Sequence, residues 1–214
     1  MQHRLVMFIL LLWPCVHALA QDVQPKKRLF HPYAAIGLLV TMPNSDSFND
    51  SHTGLLVGGG VRLPIDHQEH FNVLIGLQYA SKGMQYNDEY YRIIADANYL
   101  LVPVNIYYNF APESKFSYMF GCGLYVAYGI SESMKVPKDL YYFEGFPVDG
   151  HRNIFKDGNF PRCDVGGQLI NALKFKQASL FMSIDFSFLK KRMIGGRQDL
   201  CNLCTFSMGV SYEL

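Results

Sequence analysis

Three places in the 214-residue chain combine residue types at spacings that chemistry can use. Cys201-Asn-Leu-Cys204 has the two-residue gap of a redox dithiol. Redox work needs a thiol held as thiolate, usually at a helix N-terminus, whereas this pair falls at a loop-to-strand junction. A local structural disulfide is therefore expected, or a pairing of one of the two with Cys163 near the same mouth. His67-Gln-Glu-His70 offers two imidazoles. They sit in a short turn, without the helix that would present both to one metal, so a solvated polar turn is expected and no metal. His52 with the nearby Ser51 and Ser47, and His151, are the parts available to an acyl-transferring or lipid-hydrolysing enzyme. Such an enzyme needs a nucleophile held by a base, and no spacing singles these residues out. Gly58-Gly59-Gly60 lacks the Lys-Ser/Thr ending and the helix of a phosphate loop; strand bending or close packing explains it. No catalytic, cofactor or metal residues are assigned.

One further cluster is aromatic. Residues 131–161 form the longest connection and carry Tyr141, Tyr142, Phe143, Phe146 and Phe155. Loops of this length are often functional and exposed aromatics mark binding surfaces. The segment either presents these rings as an interaction loop or folds over the mouth below and buries them.

The N-terminus is not fold material. Arg4 precedes an apolar run over residues 5–16, then Ala18-Leu19-Ala20 ahead of polar Gln21-Asp22. That is the layout of a secretory signal, so residues 1–20 are expected to be removed and residues 21–30 to form a periplasmic lead. A lipoprotein reading fails, because Cys15 follows Leu-Trp-Pro rather than small residues. Removing Arg4 takes 19 basic residues to 18, equal to the 18 acidic ones. A neutral mature chain has no electrostatic case for nucleic acid. Of five cysteines, Cys15 leaves with the signal, and four are too few to be the main framework of an exported fold.

Beyond residue 20 no apolar run reaches the ~18 residues of a transmembrane helix. Yet half the residues are hydrophobic, 14% are aromatic and only 17% are charged, below the ~25% charged of soluble domains. Strands resolve this. Period-2 alternation marks eight of them, near residues 33–42, 55–63, 71–82, 99–110, 116–130, 162–173, 180–188 and 204–214. In the third, Phe71, Val73, Ile75, Leu77 and Tyr79 share one face, and Asn72, Leu74, Gly76, Gln78 and Ala80 the other. Pro103, mid-way in the fourth, calls for a bulge. The links alternate without exception: long at 43–54, 83–98, 131–161 and 189–203, short at 64–70, 111–115 and 174–179. An up-and-down meander puts all long loops at one end and all short turns at the other, the layout of an eight-stranded antiparallel transmembrane β-barrel over residues 31–214. Long loops are then extracellular and both termini periplasmic. Eight strands leave a bore about filled by side chains, so no wide pore is expected. Parity places Arg62, Asp164, Asp185 and Glu213 inside, where such charges need partners.

Gly76-Leu-Gln-Tyr79 with Lys82-Gly83, Tyr99-Leu-Leu-Val-Pro-Val104, Arg162-Cys-Asp-Val-Gly-Gly167 and the strand-like C-terminus, spanning roughly residues 30–214, resemble the PorT-like or porin-family outer-membrane β-barrel proteins of Bacteroidetes-type bacteria. The resemblance implies an outer-membrane barrel with no catalytic residues to carry over, one member type serving in a protein-secretion and gliding apparatus. Barrels of this kind commonly end in an aromatic residue read by the barrel assembly machinery, whereas this chain ends in Leu214, with Tyr212 and Phe206 keeping the alternation. The expected partners are outer-membrane lipid, that machinery and an envelope protein. A structural or protein-interaction role is the leading reading. The alternatives are a component of a secretion machine, a lipid-modifying barrel enzyme, and a soluble lipocalin-like carrier with the polarity of the faces inverted.

Overall fold

The structure is a computed structural model that describes residues 30–44, 51–87, 92–135, 162–189, 191–192 and 200–214. Eight long strands form one antiparallel sheet: β1 (His31–Asn44), β2 (His52–Pro64), β3 (Phe71–Asn87), β4 (Arg92–Asn109), β5 (Phe116–Lys135), β6 (Cys163–Phe175), β7 (Ala178–Ser187) and β9 (Leu200–Glu213). The two-residue β8 (Lys191–Arg192) pairs only with the start of β9. Each long strand pairs with its sequence neighbours, and β1 also pairs with β9 from Tyr33↔Glu213 to Asn44↔Asn202. The sheet is thereby closed into a barrel with no free edge along its wall. Closure is what lipid demands, since an open edge would leave unpaired amides in hydrocarbon at several kcal/mol each.

The two faces sort as alternation predicts. Ile36, Leu38, Leu77, Val102, Ile106, Leu124, Val126 and Val210 point out and are exposed, while Arg62, Asn72, Lys82, Asn105, Asp164 and Asp185 are buried inside. The inverted arrangement, a soluble carrier with apolar residues lining a hollow, is overturned by this distribution. Among the described residues no helix is long and apolar enough to cross a membrane; the crossing is made by strands.

Bulky rings fit the narrow bore because glycines face them. A β-carbon on Gly166 would lie 2.5 Å from the Tyr125 ring, one on Gly209 2.8 Å from Phe181, and one on Gly60 2.9 Å from Tyr33. The glycine run of β2 is thus close packing, as expected. Pro103 needs no bulge. The β3–β4 ladder passes from Ile75↔Val104 to Gln78↔Leu101 without changing register, simply skipping the proline. Gly76 faces the ring there, its β-carbon position 3.4 Å from Pro103 Cγ. The bulge lies elsewhere, at Asn98/Tyr99, where Ile130 of β5 is the extra residue.

The strands also outrun their apolar stretches. β3, β4 and β5 have 17, 18 and 20 residues, whereas about 9–11 tilted residues cross a bilayer core. Pairing of β2 with β3 stops at Leu56↔Ala80 and that of β5 with β6 at Tyr128↔Cys163. Beyond those points the three strands continue as a ribbon that projects from the long-loop end. The expected long loops at 83–98 and 131–161 are correspondingly shorter.

Candidate functional site

Side chains from seven strands meet inside the barrel in two polar layers. The first lies near the short turns. Arg62 of β2 donates from Nε and Nη2 to Glu213 of β9 at 2.8 and 3.3 Å, and from Nη1 to Asn72 of β3 at 2.7 Å. Glu69, in the β2–β3 turn, stands 3.6 Å from the same guanidinium. Lys174 of β6 donates to Glu213 at 2.7 Å from the other side. Two cations and two carboxylates thus offset one another across a ring about one side chain deep. The planar, five-donor guanidinium suits this, since it serves two partners in fixed directions.

The second layer lies towards the long loops. Lys82 of β3 reaches Asp185 of β7 at 3.4 Å, and its ammonium sits 4.6 Å from the centre of the Tyr125 ring on β5. Gln168 of β6 donates to Asp185 at 2.7 Å and accepts from Asn105 of β4 at 2.7 Å. Asp164 accepts from Ser187 at 2.6 Å and from the Tyr125 hydroxyl at 3.4 Å. A charge buried in this interior is tolerated only with such partners. Between the layers a cavity of about 60 Å³ is lined mainly by Leu56, Leu74, Tyr107, Ile170 and Phe181. That is room for a few water molecules.

The four interior residues anticipated from parity are therefore split between layers. Arg62 and Glu213 pair with each other; Asp185 pairs with Lys82, and Asp164 with hydroxyls. Lys82, Lys174, Asn105 and Gln168 complete the networks. The sequence carried their signal, since the parity that put Asp185 inside puts Lys82 there too.

The other candidates separate. Cys163 and Cys204 are free thiols, which corrects the expected disulfides. Cys201 and Cys204 lie three residues apart within the continuous strand β9, about 10 Å along it and beyond the ~7 Å limit for a bridge. Cys163 and Cys204 stand on β6 and β9 with β7 between them; Cys204 is level with Phe186 and Gly167, so Cys163 is offset by four residues along the strand as well as by two strand spacings, which alone come to ~10 Å. Cys122 is exposed on the outer face. His70 stacks on Tyr108 and bonds the Asn109 carbonyl at 2.9 Å, while His67 is exposed. Among the described residues no three His, Cys, Asp or Glu side chains converge as a metal site would require. His52 meets Asp96 at 2.9 Å, a pairing its spacing did not suggest, and Ser51 is exposed. Ser47, His151, the aromatic group Tyr141, Tyr142, Phe143, Phe146 and Phe155, the signal and most of the lead lie outside the described residues, as does the Cys201 side chain.

A closed barrel with an apolar outer belt and a bore crossed by ion pairs defines an outer-membrane β-barrel. The chain matches the outer membrane protein beta-barrel domain family over residues 20–188 and belongs to that family. It is similar to Ail, the attachment invasion locus protein of Yersinia pestis, with 12% identity over 87% of this chain and 100% of that one, at a TM-score of 0.47. It is also similar to Neisserial surface protein A (10% identity, 87% and 98% covered, TM-score 0.46). A third likeness is to OprG from Pseudomonas aeruginosa (11% identity, 90% and 99% covered, TM-score 0.44). No curated protein matches the chain in sequence.

Proposed function

We propose that this outer-membrane barrel is a non-conducting interaction protein that works through the end carrying the long loops, which faces the cell exterior while the short turns and termini face the periplasm. The observation that carries this reading is the ribbon of β3, β4 and β5 rising from a plugged bore. At its base Asn98 donates to Ser131 across the β4–β5 pair at 2.9 Å. A rigid platform presented above a sealed wall suits contact with another macromolecule better than solute passage. A partner in the envelope, including a component of a protein-secretion machine of the PorT type, is the interaction class to look for.

Planar-bilayer recording with the refolded protein tests the sealed bore, and no discrete conductance steps are expected. Cross-linking from Asn98→Cys or Ser133→Cys in native membranes tests the platform. Steps of nanosiemens size, or cross-links no more frequent than from a cysteine at lipid-facing Leu124, would remove the proposal.

A further inference from the structure

We propose that the corner formed by Lys115, Phe116, Phe175 and Lys176 binds the phosphate of an anionic phospholipid. From β3 to β6 the outer surface at the short-turn end carries an aromatic girdle. Rings stand 5.0 Å apart for Phe71 and Tyr108, 4.8 Å for Tyr108 and Phe110, 5.4 Å for Phe110 and Tyr118, and 4.6 Å for Phe116 and Phe175. Such girdles mark the level of lipid head groups.

At one point the girdle carries cations. Phe116 and Phe175 are register partners on β5 and β6. One step further out, the Lys176 amide donates to the Lys115 carbonyl at 3.1 Å, so the two lysines stand side by side, both exposed. Lys176 adopts φ 55° in the two-residue turn before β7, a conformation in which glycine would sit unstrained. Its ammonium turns back over Phe175, 5.5 Å from the ring centre. The charge therefore lies at girdle height instead of reaching into the water beyond the turn.

The acids at this end are largely committed. Asp66 holds the amides of His70 and Phe71, Glu69 stands on Arg62, and Glu213 is shared by Arg62 and Lys174. Among the described residues, the exposed Glu113 in the β4–β5 turn remains as an opposing charge. A phosphate at head-group height meets the Lys176 ammonium, with exposed Lys115 beside it, while its acyl chains run down over Phe116, Phe175 and Leu173, all exposed. The occupant is a phospholipid because the surrounding surface is immersed in one.

The inference rests on the membrane reading of the barrel, and its test keeps the two apart. The sole tryptophan, Trp13, falls in the leader that is expected to be removed, so a single reporter is placed beside the site as Leu173→Trp in the mature chain. The protein is inserted into phosphatidylcholine vesicles containing brominated phosphatidylglycerol or brominated phosphatidylcholine. At about 1 kcal/mol per lysine near a charged surface, each lysine contributes roughly a fivefold preference for the anionic lipid. The parent should be quenched preferentially by the brominated phosphatidylglycerol. Lys115→Gln with Lys176→Gln should bring the preference to near one, each single change should lower it, and the Lys→Arg pair should keep it. Equal quenching of the parent by both lipids, or a preference that survives the double Gln change, overturns the proposal. So does its removal by millimolar glycerol phosphate, which would make this a free-phosphate site. Loss of the shift between boiled and unboiled gel migration would instead indict the barrel's insertion.

Discussion

Lys82 and Asp185 meet inside the barrel at 3.4 Å although their strands, β3 and β7, share no ladder. Each side chain is only 2% exposed. The contact ties together opposite walls that backbone hydrogen bonds hold only through their neighbours. Removing one partner leaves a buried charge uncompensated, which costs about 3–5 kcal/mol, while replacing both with apolar groups of similar size is often neutral. Lys82→Met and Asp185→Leu should each lower the urea midpoint of the refolded barrel strongly, and the double change should recover most of the loss. A double variant as unstable as the sum of the singles would mean the pair is not coupled.

The glycines opposite the interior rings make a second, steric prediction. A β-carbon at Gly166 would fall 2.5 Å from the Tyr125 ring and 2.2 Å from the Phe186 carbonyl. The carbonyl cannot move without distorting the β6–β7 ladder. Gly166→Val should therefore destabilise the barrel by about 1–3 kcal/mol, the usual range for overpacking. Trimming the ring with Tyr125→Leu should relieve only part of it. The same urea titration measures both variants.

Much of this was legible in the sequence, for a specific reason. Phe71 to Ala80 alternate in polarity over ten residues, and one-residue slippage would turn every side chain to the wrong face; parity therefore fixed which wall each residue lines. Strand ends were less visible. β3 continues to Asn87 and β4 begins at Arg92, beyond the point where lipid imposes alternation, so polar residues occupy both faces and the pattern fades. Lys82 sits at the end of the strand that alternation marks, and only the further rungs of β3 to Asn87 make it a mid-strand, inward position. The cysteines show the same effect. β9 begins at Leu200, so the Cys201–Cys204 spacing is that of an extended strand and not of a compact loop.

That geometry predicts thiol chemistry. Cys163 and Cys204 should both be alkylated when the protein is denatured without reductant, and peptide mapping of the two sites reads it directly. A non-reducible shortfall at either site has no bearing, but alkylation appearing only after reductant would show a bridge that strands two spacings apart, ~10 Å, are too far apart to form.

The outward face gives the last test. Leu124 is 58% exposed near the middle of β5, between the girdle at Phe116–Tyr118 and Tyr128 towards the loops. In a soluble protein an arginine at so exposed a site would be almost free, since surface substitutions mostly stay within about 0.5 kcal/mol. In hydrocarbon the same change near the midplane costs ~2–4 kcal/mol. Leu124→Arg should therefore lower folding stability in phospholipid vesicles by that amount, while Leu124→Phe leaves it nearly unchanged and Ser133→Arg, on the projecting ribbon, has little effect. The contrast between Leu124 and Ser133 matters more than either value, because it maps where the bilayer ends along a single strand. Equal, small effects at both positions would mean that the apolar belt does not face lipid.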